Sequence, residues 1–330
     1  MSRPPSANRP SFFIVGHSKC GTTALARFLH EHPRLFVCDP EEPNYFCPSL
    51  CRADGPPSLF FGRSEDEYLS LFDAAQPGQL CGEASAAYLF STEAAERIAE
   101  FDPDARIIMI FREPADFLHS YHLQLLKNAP AEGETVRDLG EAIRLEPERR
   151  AGRQLPEGCR LPEFLQYSTD RIRYDEHFDR FAARFPNKQI LPLIYEDFRR
   201  DNGATVRRVF EFLGVDPNFE VQLRDYNTGG VALRSRRMQS LLRRATHGSG
   251  AAARARAMVP QGVRRRAIRA AYDGLVLERP TGLDDDLAAE IRSKAVPHVA
   301  ALGDRLGRDL LDEWGFLEAA RSGGRVESAR

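Results

Sequence analysis

The stretch Ser11-Phe-Phe-Ile-Val15-Gly16-His-Ser-Lys19-Cys-Gly21-Thr-Thr23 decides the fold of this chain. Its first five residues form a mostly apolar run, which is typical of a buried strand and ends at a glycine. Beyond the second glycine, the apolar residues Leu25, Phe28 and Leu29 recur at helical spacing. The stretch therefore predicts a strand, a short turn bounded by two glycines, and a helix.

The turn between Gly16 and Gly21 suits a phosphate group. Its backbone N–H groups would point at one spot, where the N-terminus of the following helix adds partial positive charge. Lys19, Thr22 and Thr23 add side-chain donors. The Gly-x4-Gly spacing is that of a nucleoside-triphosphate loop, but Thr22 stands where that loop has its lysine. Metal-dependent chemistry on a γ-phosphate is therefore less expected here.

The rest of the chain continues the alternation of strands and helices. The clearest strand is Arg106–Phe111, in which five apolar residues follow one another, and a helix from Pro114 to about Leu126 comes directly after it. Such alternation predicts an α/β fold with a parallel sheet covered on both faces. The other predicted elements are strands at 35–38 and 189–195, a helix around 205–213 that ends at Gly214, and a helical C-terminal segment at 284–311.

Two segments, taken together, resemble the PAPS-dependent sulfotransferase family, whose donor is 3′-phosphoadenosine 5′-phosphosulfate. The loop with its displaced Lys19 resembles the family's 5′-phosphosulfate loop. Arg112-Glu-Pro114, with Ser120 eight residues beyond Arg112, resembles its 3′-phosphate site. A strand-end arginine can direct two N–H groups at one phosphate. The similarity runs from about residue 12 to residue 214. It implies a P-loop-like three-layer fold with a central parallel sheet flanked by helices, PAPS as donor and no required metal.

Three further segments resemble the carbohydrate and heparan-type branch of that family. The segment 41–46 resembles its Lys-Glu-Pro-x-x-Phe, 82–85 its Gly-Glu-Lys-Ser/Thr, and 195–197 its Tyr-Glu-Asp. The chain departs from these patterns at Glu41 and Ala84, where the branch has lysines. The Gly-x-x-Gly-x-x-Lys element of the cytosolic steroid and phenol branch is not visible. The resemblance therefore indicates the carbohydrate-type branch.

The resemblance also assigns roles in donor binding. The 5′-phosphate is expected to lie against the loop, and the 3′-phosphate against Arg112 and Ser120. Lys19 is expected to stabilise the charge that develops on the bridging oxygen as the S–O bond breaks. The loop residues expected to bind the donor are Ser18, Lys19, Cys20, Gly21, Thr22 and Thr23.

The base that activates the acceptor is predicted to be Glu42, with Glu41 and Glu83 as alternatives and His17 as a reserve. The predicted reaction moves the sulfuryl group to a hydroxyl of a small molecule, a glycan or a natural product and releases 3′,5′-ADP. Two other classes stay open, namely a P-loop kinase or NTPase acting on a small molecule, and a non-enzymatic nucleotide- or membrane-binding module. A P-loop kinase predicts an aspartate after an apolar strand, whereas the strand at 106–111 leads into arginine.

An arginine-rich segment follows the region of resemblance. Between Tyr226 and Tyr272 there are eleven arginines and no acidic residue. A solvated basic face is one interpretation. Alternatively, Arg234, Arg236 and Arg237 cover the 3′-phosphate, while the later arginines attract an anionic acceptor or a membrane surface. Nucleic acid is disfavoured as a partner because few aromatic residues interleave. Only four of the 46 basic residues are lysines, which fits a GC-rich bacterial source.

Composition and charge exclude several classes of protein. A formal net charge of −2 over 330 residues excludes a globally basic nucleic-acid binder. No run of about 18 apolar residues is present, so no membrane-spanning helix is expected. The first ten residues do not resemble a signal peptide, and the six cysteines are therefore expected to be reduced thiols in a cytoplasmic protein. Cys47 and Cys51 lack the second ligand pair of a zinc site, and no metal site is predicted.

The predicted organisation is one domain with flexible ends. Residues 1–10 are expected to form a flexible N-terminus and residues 321–330 a flexible tail. Between them, 11–320 is expected to be a single sulfotransferase-like domain. Within it, the polar, proline-broken stretch 128–162 is interpreted as a lid or insertion, and 226–272 is the basic segment.

Overall fold

The computed structural model describes residues 8–39, 41–51, 62–128, 133–156, 159, 161–167, 170–222, 232–233, 277–278 and 282–316. A five-stranded sheet lies at its centre, and each pair of neighbouring strands is parallel. Its strands are β1 (Pro10–Gly16), β2 (Leu35–Val37), β3 (Leu80–Ala84), β4 (Arg106–Phe111) and β5 (Ile190–Ile194). They lie in the order β2-β3-β1-β4-β5. The predicted α/β fold with a central parallel sheet flanked by helices is confirmed.

Helices connect the strands and cover the sheet. None of those in the described part of the chain is both long and apolar enough to cross a membrane. They are α1 (Thr22–Glu31), α2 (Glu65–Ser70), α3 (Ala94–Phe101), α4 (Pro114–Asn128), α5 (Leu139–Arg144), α6 (Glu146–Arg150), α7 (Tyr174–Ala182), α8 (Tyr195–Arg200), α9 (Asn202–Leu213), α10 (Asp285–Leu306) and α11 (Leu310–Glu313). A separate antiparallel pair joins β6 (Ala232–Leu233) and β7 (Leu277–Glu278).

Most predicted elements agree with the structure, and the differences have local causes. The strand predicted at 189–195 ends one residue early because Tyr195 already begins α8. The predicted C-terminal helical segment is divided at Gly307, whose left-handed conformation ends α10. Strand β3 was not predicted. The flexible tail and most of the flexible N-terminus and basic segment lie outside the described residues, so these parts of the predicted organisation stay predictions.

The central strand β1 is buried on both faces between β3 and β4. Phe12, Phe13, Ile14 and Val15 have no exposed surface, as expected for a strand covered by helices on both sides. A Cβ atom at Gly82 of β3 would lie 2.3 Å from the ring of Phe12. Glycine at this position therefore allows the two strands to pack around that ring.

The registers of the strands bring two loops to one edge of the sheet. Gly16, at the end of β1, lies opposite Ile110 near the end of β4. The loop that follows β1 and the arginine that follows β4 therefore emerge side by side. In open parallel sheets, ligands bind outside the carboxyl ends of the strands.

A buried ion pair holds part of the predicted lid or insertion together, and hydrogen bonds of Glu134 with Tyr167 and Leu125 attach it to the domain. Glu134 accepts hydrogen bonds from both terminal nitrogens of Arg149, at 2.6 and 2.9 Å, and from the Tyr167 hydroxyl at 2.8 Å. Both members of the pair are almost completely buried. Burial alone would raise the pKa of Glu134, but the hydrogen bonds and charge of Arg149 outweigh it and lower the pKa. The backbone N–H of Glu134 also donates to Leu125 in α4.

Glu134→Gln should destabilise the fold strongly, because Arg149 would keep a buried charge without a counter-ion. Breaking a buried pair in this way costs about 3–5 kcal/mol. Urea denaturation followed by circular dichroism measures the loss. The matched control is Glu96→Gln, whose 2.6 Å pair with Arg184 is about half exposed and should contribute about 0–1 kcal/mol. Equal losses in the two variants would contradict the structural role of the buried pair.

Candidate functional site

The loop after β1 is a tight turn with two residues in the left-handed conformation. The N–H of Cys20 donates to the carbonyl of His17 at 3.1 Å, which closes the turn. Gly21 has φ 85°, and a Cβ atom there would lie 2.9 Å from the Phe198 ring, so this position requires glycine. Lys19 has φ 72° although it carries a side chain. Such strain is uncommon and concentrates at functional sites.

The N-terminus of α1 offers several N–H groups to a ligand. Within the described residues, no side chain caps this helix, and Gly21 is its N-cap. The first hydrogen bond within the helix runs from Leu25 to the carbonyl of Gly21 at 2.9 Å. The N–H groups of Thr22 and Thr23 therefore have no intrahelical acceptor, and the helix dipole adds positive charge to them. This arrangement fits a phosphate.

Arg112 joins this loop from the neighbouring strand. Its Nη1 donates to the carbonyl of Lys19 at 2.9 Å, and its guanidinium lies over the Tyr195 ring, 4.6 Å from the ring centre. Its carbonyl accepts the Tyr174 hydroxyl at 2.8 Å. Its Nε is buried and has no partner among the described residues. A buried N–H donor without a partner, beside an uncapped helix N-terminus, fits an anionic ligand with more than one charged group.

The remaining predicted donor-binding residues are divided between the described and the undescribed parts of the chain. Ser120 lies half-buried in α4, the helix that follows Arg112. Cys20 is fully buried, and burial raises the pKa of its thiol far above the ordinary range, so it packs the loop from inside. Arg234 and Arg236 lie outside the described residues. Ser18 and Thr23 are half-buried, and Thr22 is buried.

Glu42 lies at the same edge, beyond β3. Its N–H donates to the carbonyl of Ala84 at 2.9 Å, and its φ is 59°. Burial, and then the charge of Glu41, raise its pKa to about 7. Glu41 itself pairs with Arg27 at 3.5 Å. A carboxyl group that titrates near neutral pH is suited to accept a proton.

Glu83, one of the alternatives for the base, is fully buried within a network of hydroxyl groups. One of its oxygens accepts from the Tyr68 hydroxyl at 2.6 Å and the Tyr88 hydroxyl at 3.0 Å, and the other accepts from Ser85 at 2.6 Å. Burial raises its pKa to about 7, although these hydrogen bonds act in the opposite direction. The Ser85 oxygen accepts the N–H of Asn44 at 3.1 Å. Glu83 therefore holds the segment that carries Glu42.

His17, the reserve candidate for the base, is buried beneath the loop. Its ring centre lies 4.2 Å from that of Phe117 and 5.0 Å from that of Tyr174. Burial, and then the charge of Arg171, lower its pKa well below the ordinary value, so the ring is neutral. An acceptor cannot reach it without rearrangement of these aromatic rings, and the structure therefore assigns it a packing role.

Two glutamates to which the sequence analysis gave no role of their own, Glu113 and Glu196, tie the C-terminal helices to the site. Glu113 caps α4 by accepting the N–H of Asp116 at 2.7 Å, and its other oxygen accepts from Arg292 at 3.0 Å. Glu196 accepts the N–H of Glu113 at 3.2 Å and the indole N–H of Trp314 at 3.0 Å. The carboxylate of Glu113 therefore joins Arg292 of α10 to the N-terminus of α4. Its position directly before Pro114 is a capping signal that the sequence contains.

Glu83→Gln should change how stability depends on pH. A raised pKa means that the folded chain holds this proton to higher pH than the unfolded chain. Wild-type stability should therefore fall as the pH rises from 4.5, the ordinary value, to about 7, and level off above it. The shift corresponds to roughly 3 kcal/mol. Glu42, whose pKa is also raised to about 7, contributes a similar decline in stability over this pH range. The Glu83→Gln variant should therefore show about half of the wild-type decline.

Urea denaturation at pH values between 4 and 8 measures this decline. The exposed Glu290→Gln serves as control, since its carboxylate pairs with Lys294 at the surface. A variant whose stability falls with pH as steeply as that of the wild type would contradict the raised pKa of Glu83.

Known proteins are similar to this chain over much of its length. A model of the sulfotransferase family matches residues 63–220. The bifunctional heparan sulfate N-deacetylase/N-sulfotransferase 3 of Homo sapiens is 28% identical over 215 residues, which are 64% of this chain and 23% of that protein. The heparan sulfate glucosamine 3-O-sulfotransferase 6 of Mus musculus is 29% identical over 219 residues, 65% of this chain and 55% of that protein. The chain thus spans between about a quarter and about half of these relatives.

A solved structure extends the similarity to almost the whole chain. The crystal structure of a sulfotransferase from Alicyclobacillus acidocaldarius superposes with a TM-score of 0.65 at 26% identity, covering 93% of this chain and 98% of that one. Among the described residues, no group of three or more His, Cys, Asp or Glu side chains could hold a metal ion. The resemblance to the carbohydrate-type branch is confirmed, and over residues 63–220 the chain matches the sulfotransferase family.

Proposed function

We propose that this protein transfers the sulfuryl group of PAPS to a hydroxyl group of an acceptor and releases 3′,5′-ADP. The observation that carries the proposal is the 2.9 Å hydrogen bond between Arg112 and the carbonyl of Lys19. This bond holds the guanidinium at the end of β4 against the loop after β1. A nucleotide with phosphates at two separate positions requires two such anion-binding elements side by side. A nucleoside triphosphate has its phosphates in one chain and does not need the second position.

The loop and Arg112 would divide the two phosphate positions between them. The N–H groups of Gly21, Thr22 and Thr23 would hold the 5′-phosphate, and Arg112 with Ser120 the 3′-phosphate. PAPS, when bound, supplies the sulfuryl group and a phosphate leaving group. Lys19 would place its ammonium group beside the oxygen on which negative charge develops. Burial, and then the charge of Arg112, lower the pKa of Lys19, so an anion in this place relieves repulsion between the two cations.

Glu42 would take the proton of the acceptor hydroxyl. Its pKa of about 7 leaves it about half ionised at neutral pH, so its carboxylate form is present and binds a proton readily. The Glu83 network fixes the segment 44–46 next to it, since Asn44 and Phe46 donate their N–H groups to Ser85 and Tyr88. A hydroxyl of a glycan, a small molecule or a natural product is the proposed acceptor, and the resemblance to carbohydrate-type sulfotransferases favours the glycan.

The nucleotide preference tests the proposal directly. In buffer with EDTA, 3′,5′-ADP should raise the melting temperature of the protein more than ATP with magnesium does in metal-containing buffer. Arg112→Met should weaken 3′,5′-ADP binding by about 10–100-fold, because charge-assisted hydrogen bonds are lost. Isothermal titration calorimetry measures the affinity.

Arg184→Met is the matched control, because this arginine pairs with Glu96 at the surface, and its loss should leave the affinity unchanged. Equal stabilisation by both nucleotides, or a preference for ATP with magnesium, would overturn the proposed donor. Such a result would favour a P-loop kinase instead.

Glu42→Gln should lower turnover by about 10²–10⁴-fold while 3′,5′-ADP affinity changes by less than about threefold. Turnover is measured with labelled PAPS and the acceptor that gives most product in a screen of glycans and phenols. The wild-type rate should fall as the pH drops below about 7, because Glu42 becomes protonated.

The neighbouring Glu41→Gln serves as a positive control on the assignment. Removal of the Glu41 charge should lower the pKa of Glu42 and move the midpoint of the pH–rate profile to lower pH. A Glu42→Gln variant that keeps its turnover would remove this residue from the proposed chemistry.

A further inference from the structure

The peptide group that joins Arg112 to Glu113 is held by side chains at both of its polar atoms. The Tyr174 hydroxyl donates to the carbonyl of Arg112 at 2.8 Å. Glu196 accepts the N–H of Glu113 at 3.2 Å. Strand β4 has already ended at Phe111, so these side chains take the place of strand partners. Together they fix the backbone from which the Arg112 side chain leaves.

Trp314, directly after α11, contacts both of these side chains. Its indole N–H donates to the second oxygen of Glu196 at 3.0 Å. Its ring meets that of Tyr174 edge to face, with the ring centres 6.2 Å apart and the planes at 82°. Trp314 is only 7% exposed, so both contacts are shielded from water. One side chain from the C-terminal helices thus supports both partners of the peptide group 112–113.

The guanidinium of Arg112 depends on this backbone for its direction. Its Nη1 donates to the carbonyl of Lys19 at 2.9 Å, and its plane lies over the ring of Tyr195. Its buried Nε has no partner among the described residues and is the group left for a ligand. A long side chain loses rotamer freedom when it binds, and a fixed origin lowers that cost. The backbone at 112–113 therefore contributes to anion binding by Arg112.

Helix α8 has a second attachment to the C-terminal helices. Asp197 accepts a hydrogen bond from Arg308 at 2.5 Å. The next residue, Phe198, packs against the loop after β1, where a Cβ atom on Gly21 would lie 2.9 Å from its ring. Removal of the indole N–H of Trp314 leaves this attachment in place. Its effect should therefore be confined to the peptide group 112–113 and spare the loop.

We propose that Trp314 is a positioning residue that orients Arg112 toward the 3′-phosphate of the donor. The inference deepens the proposed function and rests on it. Trp314 acts through Glu196 and Tyr174 on the backbone that carries Arg112, and not by contact with the nucleotide. Recognition of the 3′-phosphate thereby depends on the C-terminal helices.

The experiment compares the affinities for 3′,5′-ADP and for 5′-AMP, which lacks the 3′-phosphate, by isothermal titration calorimetry. Trp314→Phe keeps an aromatic ring beside Tyr174 and removes the indole N–H. It should weaken 3′,5′-ADP binding by about 3–10-fold, as for one lost hydrogen bond, and 5′-AMP binding by less than about twofold. Thr205→Val is the matched control, because it removes one hydrogen bond, from the buried hydroxyl to the carbonyl of Asp201 in the chain, and should change neither affinity.

A double-mutant cycle tests whether Trp314 acts through Arg112. In the Arg112→Met background, Trp314→Phe should change the 3′,5′-ADP affinity by less than about twofold, because the group that it orients is gone. Glu196→Gln should repeat the effect of Trp314→Phe, since its amide leaves one oxygen for two N–H donors. It also replaces Trp314→Phe in the comparison if that variant folds poorly, as judged by circular dichroism.

The outcomes separate this inference from the proposed function. A wild-type protein that does not bind 3′,5′-ADP, or an Arg112→Met variant that binds it as tightly as the wild type, would defeat both. If Arg112→Met weakens binding, the role of Trp314 is tested alone. Equal weakening of the two nucleotides by Trp314→Phe, no weakening, or additive effects in the cycle would overturn it. If 5′-AMP binds too weakly to measure, the cycle decides.

Discussion

The hydrogen bond from Arg112 to the carbonyl of Lys19 is the constraint on which the site depends. It exists because β1 and β4 are neighbours in the sheet with Gly16 opposite Ile110, so the two strands end at the same level. The bond fixes the one carbonyl that the left-handed turn at Lys19 presents to the neighbouring strand. With that carbonyl held, the turn that leads into α1 is fixed, and the N–H groups at the start of the helix have no intrahelical acceptor.

Burial acts on the acids and the bases of this edge in opposite directions and brings their pKa values closer together. It raises the pKa of Glu42 to about 7 and lowers that of Lys19. Both groups thereby lose part of the preference for the charged form that they would have in water. Charged groups at this edge therefore depend on one another for stabilisation. An anion bound between Lys19 and Arg112 would supply negative charge to both cations.

The sequence predicts what is local and misses what depends on the path of the chain. The strand, turn and helix from residue 11 to residue 31 could be predicted because their apolar spacing and glycines lie within one short stretch. The role of Glu83 could not, since its partners Tyr68 and Tyr88 come from α2 and from the turn after β3. Strand β3 was missed because Gly82 and a charged residue interrupt its apolar pattern, whereas in the fold Gly82 makes room for the ring of Phe12.

The two departures from the carbohydrate-type pattern have a common physical consequence. Where that pattern has lysines, Glu41 pairs with Arg27 and raises the pKa of Glu42, and Ala84 contributes only its carbonyl. The acceptor side of the site is thus more acidic than the pattern implies, which makes Glu42 a stronger base but leaves less positive charge near it. Transfer of an anionic group requires that charge from some element of the fold. At this edge the structure brings together the loop that carries Lys19 and the guanidinium of Arg112, and these are the cations that meet the requirement.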